Sequence, residues 1–172
     1  MFINPFEIIK QIDLKDNMLI ADFGCGHGGF SVPLAKIVRK GRIFAIDIQK
    51  EALSFLETRK EAEKVLNIKT ILSDIESLKG SKLGDSYIDL VVIANVLFQS
   101  SNRLMIMQEA RRVIKNQGKI LVVDWNQDSK ISQTQSTISK SEIMDLASKT
   151  GLILEKELDA GSSHFALLFV KK

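Results

Sequence analysis

The sequence is poor in several residue types, and each shortage narrows what the protein can be. Its 172 residues include one cysteine, Cys25, which excludes an internal disulfide framework and a metal cluster built on cysteines alone. No apolar run is long enough to cross a bilayer, and no signal peptide is visible. We therefore expect a cytoplasmic protein that keeps its thiol reduced, binds no metal and does not associate with membranes.

A strong excess of one charge is also missing. The chain has 24 lysines and arginines against 21 aspartates and glutamates, a net charge of +3, and the two signs are mixed along its length. A nucleic-acid surface usually needs a basic patch or stripe, so we predict no nucleic-acid partner. With 45% hydrophobic residues, the chain is large enough to bury one core. We predict a single domain over residues 1–172, as a monomer or a homodimer.

Short apolar segments alternate with amphipathic ones through most of the chain. The predicted strands are residues 18–23, 42–47, 68–73, 87–94 and 119–125. The predicted helices are residues 29–40, 50–67 and 102–116, with Gly41 and Gly118 expected to end the first and the last of them. This alternation predicts an α/β fold, a doubly wound and mostly parallel sheet with helices on both faces.

The two ends of the chain depart from this alternation. Residues 1–17 indicate an N-terminal surface helix, and the Ser/Thr/Gln-rich residues 126–139 indicate a mobile linker or a lid. Ser139 and Glu142 form a capping box that opens a helix ending at Gly151. Two apolar segments then flank "GSS", which predicts a hairpin and an antiparallel last strand.

The stretch "IADFGCGHGGF", residues 20–30, follows the first predicted strand. Gly24, Gly26 and Gly29 fit the G-x-G-x-x-G pattern of dinucleotide-binding loops, but Asp22 stands two residues ahead of the first glycine. A carboxylate there repels a diphosphate and attracts a cation. S-adenosylmethionine (SAM) carries an ammonium, a sulfonium and one carboxylate, and no phosphate. The loop therefore favours SAM over a dinucleotide.

Polar residues also follow the other strands, at the edge of the sheet where ligands bind in such folds. Asp47 ends the second strand, where an acid accepts hydrogen bonds from ribose hydroxyls, and Ile48 beside it can pack on an adenine. Asp74 with Ile75 suits the adenine amino group. Asn95, after the fourth strand, can meet the methionine part of SAM.

The order of these motifs resembles that of the class I SAM-dependent methyltransferases. The segments that carry the resemblance are "DFGCGHGG", "FAIDIQ", "LSDIESL", "YIDLVVIANVLFQ" and "EARRVIKNQGKILVVDW". They are most similar to the branch that contains the ubiquinone/menaquinone-biosynthesis C-methyltransferases. The resemblance implies a seven-stranded sheet with a reversed last strand. With the backbone of Cys25 added, the predicted SAM contacts are Asp22, Gly24, Cys25, Gly26, Asp47, Ile48, Asp74, Ile75 and Asn95.

Departures from related groups narrow the substrate. After the fourth strand the chain reads "ANVLFQ", not the Asn/Asp-Pro-Pro-aromatic motif of enzymes that methylate exocyclic or amide nitrogens, so that chemistry is disfavoured. Quinone-ring relatives often carry a histidine near Phe98 and Gln99, and this chain has none there. One cysteine is too few for an arsenite methyltransferase.

Methyl transfer from a sulfonium is a direct displacement that requires no particular catalytic side chain. Of the two histidines, His27 lies in the glycine loop and is expected to pack beside the cofactor or face solvent. His164 begins the last strand at the cofactor edge, so it is the predicted catalytic residue, as a general base or a substrate contact. Trp125 can wall a substrate pocket or cap the core, and Asp124 can cap a turn.

The sequence thus predicts a methyltransferase that transfers a methyl group from SAM to an O, C, N or S atom of a small molecule. Two alternatives stay open at this point. One is an NAD(P)-binding oxidoreductase domain, which would need a second domain for its substrate. The other is a non-catalytic partner subunit with the methyltransferase fold.

Overall fold

Seven strands form one mixed sheet in the computed structural model, which describes residues 3–126 and 137–172. The sheet order is β3-β2-β1-β4-β5-β7-β6. The strands are β1 (Leu19–Phe23), β2 (Arg42–Asp47), β3 (Ile68–Leu72), β4 (Ile88–Ala94), β5 (Ile114–Trp125), β6 (Leu152–Leu158) and β7 (His164–Lys171). The helices are α1 (Pro5–Ile9), α2 (Ser31–Ile37), α3 (Lys50–Ala62), α4 (Arg103–Val113) and α5 (Lys140–Lys149), with a 3₁₀ turn at Leu97–Gln99.

The first five strands are parallel, and β7 runs antiparallel between β5 and β6. This confirms the predicted doubly wound sheet with a reversed last strand. The chain moves outward through β1, β2 and β3 and then returns to pair β4 with β1. The strand order therefore reverses between β1 and β4, which is where open α/β sheets form their ligand crevice.

Both faces of the sheet are covered, which explains why the central strands are apolar throughout. On β1, the Ile20 side chain joins a core cluster with Ile8 of α1 and Leu56 of α3. The neighbouring Phe23 belongs to the opposite cluster, with residues of α4 and α5 such as Ile106. Because successive strand side chains point to opposite faces, each central strand contributes to both clusters.

Helix α3 is shorter than predicted. It ends at Ala62, and Lys64 takes a left-handed backbone conformation with φ of 54° that breaks the helix. Val65 returns to the core, but Leu66 is 94% exposed, so the end of the predicted helix over residues 50–67 was wrong.

Neither of the two glycines predicted to end helices lies at the end of a helix. Helix α4 ends at Val113 and β5 begins at the next residue, so Gly118 lies inside a strand. Helix α2 ends at Ile37, and Gly41 is needed because a Cβ there would lie 1.9 Å from the carbonyl oxygen of Met18. Both helix-stop predictions were therefore wrong: Gly41 is explained by a close backbone approach.

The end of the chain follows the prediction more closely. The capping box is present, with the Glu142 amide donating to Ser139 Oγ at 3.1 Å and the Ser139 amide donating to Glu142 Oε2 at 2.8 Å. The β6–β7 hairpin is present, joined by residues 159–163, a longer connection than the sequence suggested. Most of the predicted linker, residues 127–136, lies outside the described residues. Within the described ranges, no helix has the length and apolar character needed to span a membrane.

Candidate functional site

A cleft of about 570 Å³ opens at the carboxyl ends of the strands, at the crossover point between β1 and β4. The structure brings all nine predicted cofactor residues to its lining. They are Asp22, Gly24, Cys25, Gly26, Asp47, Ile48, Asp74, Ile75 and Asn95. Their placement together follows from the parallel topology, because every β-strand end that carries them faces the same edge of the sheet.

The glycine loop, residues 24–29, joins β1 to α2 and needs glycine for two separate reasons. Gly24, Gly26 and Gly28 have φ of 71°, 51° and 82°, a region that other residues rarely adopt. A Cβ on Gly24 would lie 2.4 Å from Val96 Cγ2, so that residue must be small. A Cβ on Gly26 would meet no protein atom within 4 Å. Since Gly26 lines the cleft, that space is open to a ligand.

The backbone N–H groups at the start of this loop are already used inside the protein. The amides of Gly24 and Cys25 both donate to the carbonyl of Ile46, at 2.8 and 3.0 Å. The amide of Gly26 donates to Asp47 Oδ2 at 2.8 Å. A pyrophosphate-binding loop points its free N–H groups at the anion. Here these three donors bind β2, so this part of the loop does not offer an anion site.

Asp47 ties the glycine loop to the end of β2. Its Oδ2 accepts from the Gly26 amide, and its Oδ1 accepts from the Gln49 amide at 2.9 Å. A carboxylate has about four acceptor positions, so two remain for a ligand in the cleft. The carboxylate is therefore held in place and still able to bind a pair of hydroxyl groups.

Asp22 is a buried carboxylate, 2% exposed. Its Oδ2 accepts a hydrogen bond of 2.6 Å from the Ser31 hydroxyl. Burial raises the pKa of Asp22 to about 6, against which the Ser31 hydrogen bonds act only in part. Within the described residues, no lysine or arginine forms an ion pair with it. A buried carboxylate without a protein cation is complementary to a cationic ligand.

Asn95 follows β4 in a left-handed conformation with φ of 57°, which costs energy in any residue other than glycine. Its amide donates to the Val123 carbonyl at 2.8 Å, and its own carbonyl accepts from Gln99 Nε2 at 2.8 Å. Its side-chain oxygen Oδ1 is buried and accepts no hydrogen bond from the protein. Asn95 lines the cleft, but this oxygen has almost no accessible surface, so a ligand donor reaches it only after the side chain turns.

Two apolar side chains and a carboxylate form the other end of the cleft. Ile48 is 64% exposed although it lies in the cleft, and Ile75 is buried. Asp74 lies beside Ile75, and its Oδ1 accepts from the Glu76 amide at 2.8 Å. This combination of apolar surface with a fixed acceptor suits a heteroaromatic ring that carries an amino group.

The two histidines are placed differently. His27 is exposed, lines the cleft and packs its ring 4.9 Å from that of Phe55. His164 is 2% exposed and is absent from the cleft lining, and its ring lies 4.0 Å from that of Trp125. Burial lowers the pKa of His164 to about 4, so its imidazole is neutral at pH 7. The catalytic role of His164 stays a prediction.

Asp124 has the turn-capping contacts that the sequence suggested. It is fully buried, and its carboxylate accepts from the amides of Trp125 at 2.9 Å and Phe98 at 3.2 Å. The second of these contacts fixes the 3₁₀ turn that follows Asn95. Burial raises the pKa of Asp124 to about 6.

Sequence reasoning missed several residues that line the cleft. Ile3 and Pro5 reach it from the N-terminal segment, which was predicted only as a surface helix. Glu76 also lines it, and accepts from Ser101 Oγ and the Asn102 amide, both at 2.9 Å. Glu76 lies two residues beyond a strand-end acid, so reading further past each strand would have found it.

Comparisons with known proteins show what the chain is similar to. The sequence model of a family described as a methyltransferase domain matches residues 14–161. A "probable cobalt-precorrin-6B C(15)-methyltransferase (decarboxylating)" from Methanosarcina mazei is 29% identical over 116 residues, 67% of this chain and 63% of that protein. A demethylmenaquinone methyltransferase from Oceanobacillus iheyensis is 23% identical over 76% of this chain and 54% of that protein. The chain thus spans less than two thirds of these relatives.

Solved structures share the fold. A SAM-dependent methyltransferase from Aquifex aeolicus superposes with a TM-score of 0.86 at 22% identity, covering 99% of this chain and 90% of the other. A SAM-dependent methyltransferase from Methanosarcina mazei gives a TM-score of 0.78 at 19% identity, covering 95% and 96%. At these identities the likeness establishes the architecture of the sheet and its helices.

Proposed function

The chain belongs to the family of methyltransferase domains, and from this premise we propose that it transfers a methyl group from SAM to a small-molecule acceptor. The observation that carries the proposal is the character of the cleft. Its first loop amides are bonded within the protein, and its described lining holds four carboxylates and no lysine or arginine. Such a site attracts a cationic nucleoside and repels a diphosphate.

The ammonium, the ribose and the adenine of SAM each have a complementary group in the cleft. Asp22 suits the ammonium, since it is an anion without a protein cation, and Asn95 contributes its side chain to the lining of the same cleft. The two remaining acceptor positions of Asp47 suit the ribose hydroxyls. The adenine would lie between Ile48 and Ile75. The backbone contacts come from the glycine loop, at Gly24, Cys25 and Gly26, and the acceptor for the adenine amino group is Asp74.

Bound SAM supplies the methyl group that its sulfonium sulfur carries. When the methyl group is transferred, the sulfur becomes a neutral thioether. The protein then has to align the acceptor atom with the methyl group and exclude water. Ile3, Pro5 and Val96 are apolar residues of the lining that the proposed SAM contacts do not use. That surface supports an acceptor that is apolar near its reacting atom.

The negative charge of the cleft limits which acceptor molecules can bind. The four lining carboxylates are Asp22, Asp47, Asp74 and Glu76. An acceptor with a phosphate group, or a nucleic acid, would enter against this negative field with no arginine or lysine in the described lining to hold it. A neutral or cationic small molecule is therefore the class of acceptor that the cleft supports.

The test is a transfer experiment with isotopic label. The protein is incubated with ¹³C-methyl SAM and a small-molecule extract of the source cells, and S-adenosylhomocysteine and labelled products are followed by mass spectrometry. We expect S-adenosylhomocysteine to form only when the extract is present, and to fall strongly in Asp47→Asn. A protein that binds SAM but forms no S-adenosylhomocysteine with the extract would instead be a non-catalytic partner subunit.

A further inference from the structure

Helix α3 contacts the second half of the glycine loop, residues 27–29, and we propose that Arg59 is a positioning residue that holds this part of the loop. In this proposal Arg59 fixes the carbonyl groups of His27 and Gly28, and thereby sets the loop for the cofactor. The inference rests on the proposed SAM site and adds a residue outside the cleft to it. Arg59 is absent from the cleft lining, so it acts through the loop and touches neither SAM nor acceptor.

The contacts of Arg59 are specific. Its Nη1 donates to the His27 carbonyl at 3.3 Å and to the Gly28 carbonyl at 3.2 Å. Its Nε donates to Glu63 Oε1 at 2.6 Å, one turn further along α3. A guanidinium has five donors in a rigid plane, so one side chain can hold two carbonyls and a carboxylate together.

The second half of the loop depends on α3 because the first half is held from another side. Strand β2 fixes the first half through the Ile46 carbonyl and Asp47. The second half lies directly on α3: a Cβ on Gly28 would come within 2.4 Å of Leu56 Cδ1. Leu56 and Arg59 are three residues apart on α3, so they face the loop from the same side of the helix.

Glu63 extends this contact to the next element. Its Oε1 accepts from Arg59 and its Oε2 accepts from Lys36 of α2, each at 2.6 Å. Helix α2 begins directly after the glycine loop. The ion pairs Lys36–Glu63 and Arg59–Glu63 therefore connect α2 to α3. The second half of the loop is thus held by Arg59, and the helix that follows it, α2, is held to α3 through Glu63.

The experiment compares Arg59→Ala and Arg59→Lys with Lys60→Ala as the matched control. Lys60 is the next residue of α3 and forms its own ion pair, with Glu57 at 2.8 Å; in the described part of the chain it makes no hydrogen bond or ion pair with a loop residue. Isothermal titration gives the Kd of SAM and S-adenosylhomocysteine. We expect about a tenfold higher Kd in Arg59→Ala, because hydrogen bonds from a charged donor to the loop are lost. Arg59→Lys should fall between, and Lys60→Ala should match the wild type.

A spectroscopic readout separates positioning from general stability. In ¹H–¹⁵N spectra of the ligand-free protein, the amide signals of Gly28 and Gly29, whose peptide groups contain the two carbonyls, should move in Arg59→Ala and stay in place in Lys60→Ala. If Arg59→Ala does not fold, Arg59→Lys and Glu63→Gln carry the test, each with a Kd of SAM above that of the wild type and a shift of the same amide signals. An unchanged SAM affinity in the Arg59 variants, or an equal loss in Lys60→Ala, would overturn the inference. A wild-type protein that binds no SAM would overturn the proposed function itself.

Discussion

Replacing Asp47 by asparagine is expected to weaken SAM binding far more than it weakens the fold. The substitution keeps the size of the side chain and one acceptor oxygen. It places an amide NH₂ where one carboxylate oxygen now accepts from Gly26 at 2.8 Å or from Gln49 at 2.9 Å. One donor then faces another, and the negative charge proposed to receive the ribose hydroxyls is gone.

The size of the effect follows from these contacts. A hydrogen bond to a charged group contributes about 1.5–3 kcal/mol. Losing one such bond to the ribose raises the Kd of SAM by about ten- to a hundredfold. Isothermal titration measures this directly, with Asp145→Asn as control, because Asp145 is an exposed carboxylate on α5. An Asp47→Asn protein that binds SAM within twofold of the wild type would refute the assignment of Asp47.

Three further outcomes are expected. As the pH falls from 7 to 5, the SAM affinity of the wild type should drop with a midpoint near the Asp22 pKa of about 6, because the carboxylate gains a proton. Asp22→Asn should flatten that dependence in titrations across the range. It should also raise the Tm at pH 7, since a carboxyl whose folded-state pKa is raised costs stability once the pH has risen through that pKa. Gly26→Ala should fold with a cost of about 1 kcal/mol for its φ of 51° yet lose SAM binding, because its methyl group enters the cleft; retained affinity would count against that geometry. His164→Gln tests the predicted catalytic role: loss of a base should lower kcat by about a hundredfold or more, whereas a kcat within about threefold, with a lower Tm from the lost packing on Trp125, would contradict that role.

The sheet and the cofactor residues could be predicted because the same sequence features report both. A central parallel strand is buried on both faces, so it reads as a continuous apolar run. The polar residue that ends such a run marks the ligand edge, as Asp22, Asp47 and Asn95 do. The same apolar runs therefore identify both the strand ends and the site residues. The parallel topology then brings the site residues together.

The features that escaped prediction depend on contacts between distant parts of the chain. Gly41 lies against the backbone of Met18, which is distant in the sequence. The residues around Gly41 do not reveal this contact, so Gly41 was wrongly predicted to end a helix. Arg59 reaches carbonyls 31 and 32 residues away, and its sequence neighbourhood shows only an ordinary charged helix. His164 lies at the predicted edge of the sheet, but its burial depends on Trp125 across the β5–β7 pair, which strand order alone does not reveal.

The central claim is that the cleft selects a cationic nucleoside over a dinucleotide, and thermal unfolding with four ligands tests it most directly. SAM, S-adenosylhomocysteine, NAD and NADP are each added in large excess to the wild-type protein and the Tm is recorded. A ligand at a hundred times its Kd stabilises the folded state by about 2.7 kcal/mol, which is readily measured. We predict a higher Tm with SAM and S-adenosylhomocysteine and an unchanged Tm with NAD and NADP. A Tm raised by NAD or NADP, with no response to SAM, would contradict the account.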